Sequence, residues 1–200
     1  MSAASPVSIA NMALAHIGAR SSIESLSEDS PEARQASLWY DHCRLQTLEA
    51  SDWSFARKRL TLALHSEAPP EGVWTYRYQY PSDCIFARRI VNPLGPTADQ
   101  VPFDIEINMI GDERTILTNL EEAVLVYTKD VASPSLFSTF FVDAVSHLLA
   151  SYIAYSLTGT RQTKADELNI FSSILRVAAA NNANEQAFPP PKDAPWITGR

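Results

Sequence analysis

The spacing of apolar residues changes twice along this chain, from a helical period to an alternating one and back. Helix and strand each gather apolar side chains on one face only at their own period, so the chain must build the two in separate stretches. In the first stretch, Ser5-Pro6 reads as an N-cap followed by proline at the first helical position. Ile9, Met12, Ala13 and Ile17 follow at helical spacing, and Gly18 supplies the stop. Ser30-Pro31 repeats the start signal, with Glu32 in the first turn. Ala33, Ala36, Tyr40, Arg44, Thr47 and Leu48 share one face of that second helix. Leu38, Trp39 and Leu45 spread around it, which predicts cover on more than one side.

From Trp53 the period shortens. Trp74, Tyr76, Tyr78 and Tyr80 alternate with Thr75, Arg77 and Gln79, a strand with one aromatic face. Residues 88–91 read as another strand. Phe103, Ile105, Ile107 and Met109 alternate with Asp104, Glu106 and Asn108, and Gly111-Asp112-Glu113 forms a turn before a return strand from Thr115 to Thr118. An apolar strand from Ala123 to Tyr127 closes a sheet of four or five antiparallel strands. Ser133-Pro134 then gives the helix-start signal a third time, with a broad apolar face running from Leu136 to Ile153 and a stop at Gly159. A fourth helix covers residues 161–180, its seam being Leu168, Phe171, Ile174, Leu175 and Ala178. The expected class is α+β: an antiparallel helical bundle (residues 1–52 and 132–181), an inserted antiparallel β region (53–131) and an extended C-terminal arm (182–200). In that arm Phe188-Pro189-Pro190-Pro191 cannot continue a helix. Phe188, Trp196 and Arg200 are residue types that anchor interfaces, so the arm either docks on a partner or packs on its own domain.

The 200 residues carry a net charge of −7, which disfavours a surface that grips nucleic-acid phosphates. Cys43 and Cys84 lack metal-type spacing and are expected as free thiols. The first residues have neither a basic start nor an apolar secretory core. Residues 136–157 are long enough to span a bilayer, but Asp143, Ser146 and His147 at the centre favour a buried helix, and no membrane partner is expected.

Nucleotide, zinc-protease and hydrolase signatures are missing from the sequence. Asp41-His42-Cys43 places an imidazole beside a thiol, but neighbours on a helix do not face each other, so His42 cannot activate Cys43. Asp143 and His147, four apart, could make at most half a metal site, and with no other histidine nearby in sequence they read as an intrahelical pair or a polar contact to a neighbouring subunit. No catalytic, cofactor-binding or metal-binding residues are expected. Asp104, Glu106, Asp112 and Glu113 alternate along strands and should face water. Arg57, Lys58 and Arg59 could touch phosphates, but in an acidic chain they are expected to meet a partner's carboxylates or solvent.

The order of several local patterns is informative. Asn11-Met12-Ala13-Leu14-Ala15-His16-Ile17-Gly18 precedes Ile23-Glu24-Ser25-Leu26, Ser30-Pro31-Glu32-Ala33 and the stretch from Arg44 to Leu48. Trp53-Ser54-Phe55-Ala56-Arg57-Lys58-Arg59-Leu60 and Tyr78-Gln79-Tyr80-Pro81-Ser82-Asp83-Cys84 follow. This order resembles the tail tubular protein A family of short-tailed bacteriophages and related prophages. The resemblance is strongest from Asn11 to Asp83 and weak in the strands beyond. It implies a head–tail adaptor in the virion, made in the bacterial cytoplasm. Copies would form a ring, typically of twelve, between the portal protein and the distal tail tube or nozzle protein, with double-stranded DNA passing through the lumen unbound. It implies no cofactor and no catalytic residue. On that reading Asp104, Glu106, Asp112 and Glu113 are candidates for the lumen wall, where acids repel DNA. Arg57, Lys58 and Arg59 are candidates for contacts between subunits, and Phe188, Trp196 and Arg200 for docking on the portal or a neighbour. The alternatives are a carboxylate-dependent glycan hydrolase of the tail and a monomeric protein-binding module.

Overall fold

The computed structural model describes residues 4–95 and 98–185, without the side chains of 182–185. Among these residues it is an α+β fold with four α-helices and two small antiparallel sheets. Two compact units result: residues up to Arg57 together with Thr128–Ala183, and Lys58–Tyr127.

In the first unit, α1 (Pro6–His16) begins at a reciprocal cap: Ser8 N–H donates to Ser5 Oγ at 3.0 Å and Ser5 N–H to Ser8 Oγ at 2.8 Å. α2 (Pro31–Ala50) is capped by Ser30, as expected. The third start signal is corrected. Ser133-Pro134 opens only a 3-10 turn, Pro134–Leu136, because the Ser133 hydroxyl is spent on Ser135 and caps no backbone N–H. The helix α3 (Thr139–Thr158) starts instead from Ser138, whose Oγ accepts from Phe141 N–H, and stops at Gly159 in the left-handed region at φ +70°. α4 (Arg161–Glu185) runs past its expected end, so Asn182, Ala183 and Asn184 belong to the helix rather than the arm. After Gly159 no glycine or proline occurs until Pro189, and three alanines at 178–180 favour continued helix.

α1 and α2 both pack on α3, which buries Phe141, Ala144, Val145, Leu148, Leu149 and Ile153 among others. α3 is long and apolar enough to cross a membrane, yet more than half of that stretch is buried in protein. An aromatic cluster closes one end. Phe141 meets Trp53, Phe55 and Phe137 at centroid distances of 5.1, 5.0 and 4.6 Å, and the Trp53 indole N–H donates to Thr47 C=O at 2.7 Å. Two expectations fail here. Leu38 is 65% exposed, so the outer side of α2 lies open. Leu168 lies outside the α4 seam, where Glu167 is buried in its place because His147 supplies a partner.

The second unit has six strands in two sheets, more than the single sheet of four or five predicted. They are β1 (Arg57–Thr61), β2 (Tyr76–Gln79), β3 (Cys84–Ile90), β4 (Phe103–Ile107), β5 (Arg114–Thr118) and β6 (Val124–Lys129), ordered β1-β6-β3 and β2-β5-β4. Its first strand is charged and mostly exposed, so it lacks the apolar alternation that announces a strand. Bridges from Leu64 to Tyr78 and from Ile90 to Val101 tie both edges of one sheet to the other. The strands therefore curl around one core of Leu62, Tyr78, Ile90, Ile116, Leu125 and Tyr127, with smaller residues between them.

Candidate functional site

The β4–β5 hairpin ends in a turn built on one side chain. Asn108 is buried, and its Oδ1 accepts from the backbone N–H groups of Gly111, Asp112 and Glu113 at 2.9, 3.1 and 3.3 Å. Its Nδ2 donates to Asp112 Oδ1 at 2.7 Å. Gly111 sits at φ +87°, open to glycine at little cost. From outside the hairpin, Glu67 Oε2 accepts from Met109 N–H at 3.1 Å and faces the buried Arg77 guanidinium at 3.4 Å. His65 approaches Glu113 at 3.4 Å.

This pinned loop displays apolar side chains. Met109 is 87%, Ile110 79% and Ile107 61% exposed. The alternation along β4 implies one covered face, but of its apolar residues only Phe103 packs on the core. Beyond Phe103 the edge strand carries Ile105 and Ile107 into solvent. All four acids singled out in the sequence lie on this hairpin. Asp104 takes the Ile105 N–H at 2.7 Å, Glu106 is half-buried, and Asp112 and Glu113 stand at the turn.

The basic segment is largely satisfied within the chain. Arg57 makes a two-pronged pair with Asp52 at 3.1 and 3.0 Å, and Lys58 reaches Asp83 at 2.8 Å. Tyr127 hydroxyl donates to the other oxygen of Asp83 at 2.6 Å. Arg59 is exposed and has no ion pair among the described residues. It lines an open cleft of about 420 Å³ with Arg89, Ile90, Val91, Ala98 and Asp99.

In the helical unit the pair predicted between Asp143 and His147 gives way to another. His147 Nδ1 lies 2.6 Å from Glu167 on α4, and its ring stacks on His16 of α1 at 3.9 Å. Sequence reasoning missed both partners, because neither lies on the same helix. The pKa of His16 falls below the ordinary 6.5, through partial burial and then the nearby His147. The charges of Glu167 and Asp143 pull the other way. Stacked rings do not converge their nitrogens on one point. Among the described residues no group of three or more His, Cys, Asp or Glu is placed to hold a metal ion.

Cys43 is fully buried, which pushes its thiol up to about 12 and leaves it without thiolate character. His42 points elsewhere, with its ring edge on Tyr152. Arg44 is buried and holds Asp41, Asp130 and the Val131 carbonyl, a structural use of a residue that the helix pattern placed on the core face. Phe188, Trp196 and Arg200 lie outside the described residues. The chain matches no protein-family model and no curated protein.

Proposed function

We propose that this chain is a head–tail adaptor of the tail tubular protein A type: a helical bundle with an inserted β region and an extended C-terminal arm. Twelve copies close into a ring between the portal and the distal tail tube, and DNA passes through without specific binding. Virion assembly places it in the tail or neck after synthesis in the bacterial cytoplasm.

The observation that carries the reading is the order of packing motifs from Asn11 to Asp83. The same residues act as clamps in the fold, which supports it. Asn11 donates to Ile23 C=O at 2.9 Å and accepts from Ile23 N–H at 2.8 Å, fixing the loop after α1. Trp53 locks onto the end of α2, and Asp83 ties β1 to β6 through Lys58 and Tyr127. A chain whose distinctive polar residues serve architecture suits a structural role. Asp104 and Glu106, on the strand, remain the lumen candidates, and Phe188, Trp196 and Arg200 the anchors of the arm. Negative-stain electron microscopy and light-scattering mass, with and without the cognate portal, test the proposal. Rings alone or on the portal are the expected result. A monomer that ignores the portal overturns it.

A further inference from the structure

From the hairpin and the Arg59–Arg89 cleft we infer that this chain associates with a second copy of itself by a knob and a hollow. The knob is Met109 and Ile110, and the hollow is the cleft between Arg59 and Arg89. This inference rests on the ring reading above and names one contact within it.

Three observations point to a second copy as the occupant. First, the knob is preorganised. The Asn108, Glu67 and His65 contacts hold the loop, so docking costs little ordering of the backbone. Second, the charges match. Asp112 and Glu113 flank the knob, while Arg59 and Arg89 have no ion pair among the described residues. The cleft lining carries two arginines and one carboxylate, Asp99. Val91 and Ala98, both partly exposed, add apolar surface to that lining. Third, the two features lie at opposite ends of β4. The Ile90–Val101 bridge sets the cleft beside the start of the strand, and the knob follows its end. At about 3.3 Å per residue, the five residues of β4 hold them roughly 15 Å apart. A molecule therefore cannot fill its own hollow. Two different patches, each satisfied only by another copy, make a head-to-tail contact, the kind that closes by rotation into a ring.

The test mixes two variants of the full chain that each add one cysteine, Ile110→Cys and Val91→Cys, under mild oxidation, at high concentration and on the portal. The native Cys43 and Cys84 are buried and do not compete. A disulfide between the two variants is expected, with little product from either alone. Ile110→Asp should keep the wild-type melting temperature and raise the concentration needed for assembly by roughly tenfold or more. Rings that form without the 91–110 product leave the adaptor reading intact and overturn this contact. Tip-to-tip disulfides from Ile110→Cys alone overturn it too. Open oligomers carrying the 91–110 product support the contact and count against a closed ring. Absence of both rings and product overturns both.

Discussion

The helical unit and the β unit spend their side chains differently. On α3, Phe141, Val145, Leu148, Leu149 and Ile153 are buried while Phe140 and Tyr155 stay exposed, and polar residues such as Arg44, Asn11 and Glu167 answer partners within the unit. In the β unit, a comparable apolar supply is divided. Tyr78, Ile116 and Leu125 fill the core, while Ile107, Met109 and Ile110 are held out into solvent by a loop with its own polar scaffold. Both units bury a core, and at the β4–β5 turn exposed apolar side chains sit on a loop held by a buried polar residue. An exposed apolar group on a rigid turn contributes nothing to folding, which makes a binding role the economical account of it.

The largest break in this contrast is expected from Phe141→Ala. The ring contacts three aromatics at zero exposure, and its removal should cost about 3–5 kcal/mol in urea unfolding. A loss below about 1 kcal/mol would mean that the cluster repacks freely. Arg44→Met comes next, at about 3 kcal/mol, the low end for a broken buried pair, because Asp41 and Asp130 keep access to water. Asn108→Ala should cost about 1–3 kcal/mol and speed hydrogen exchange at the amides of Gly111, Asp112 and Glu113. Unchanged exchange there would show that the loop is not held by Asn108.

The smallest effect is a pH dependence in the helical unit. His16 binds its proton less readily in the folded chain than the ordinary 6.5. Its contribution is therefore present above that value and lost as the pH falls below it, since the unfolded chain then takes up the proton first. Melting temperature should fall from pH 8 to pH 5 slightly more for the wild type than for His16→Gln. An equal or greater fall in the variant would show that protonation of His16 is not coupled to folding.

Much of this molecule was legible before its structure. Ser5-Pro6, Ser30-Pro31, Gly18 and Gly159 mark helix ends because caps and left-handed turns are local: the residues that decide them are within a few positions. The buried face of α2, including Arg44, follows from its period, and the aromatic strand at Tyr76 and Tyr78 from its alternation. Ser133-Pro134 misled because the rival partner, Ser135, is equally local, and nothing in the pattern says which bond wins. The charged strand β1 was invisible, since its place between solvent and β6 comes from pairing rather than composition.

The sequence by itself determined the α+β class, most helix starts and stops, and the hairpin with its four acids. Only the tertiary structure decided that the six strands form two sheets around one core. It also decided that His147 meets His16 and Glu167 rather than Asp143, and that Met109 and Ile110 stand in water. The first group depends on residues near in sequence, whose geometry the backbone sets. The second depends on which surfaces the rest of the chain covers, and that is settled only when distant elements compete for the same space.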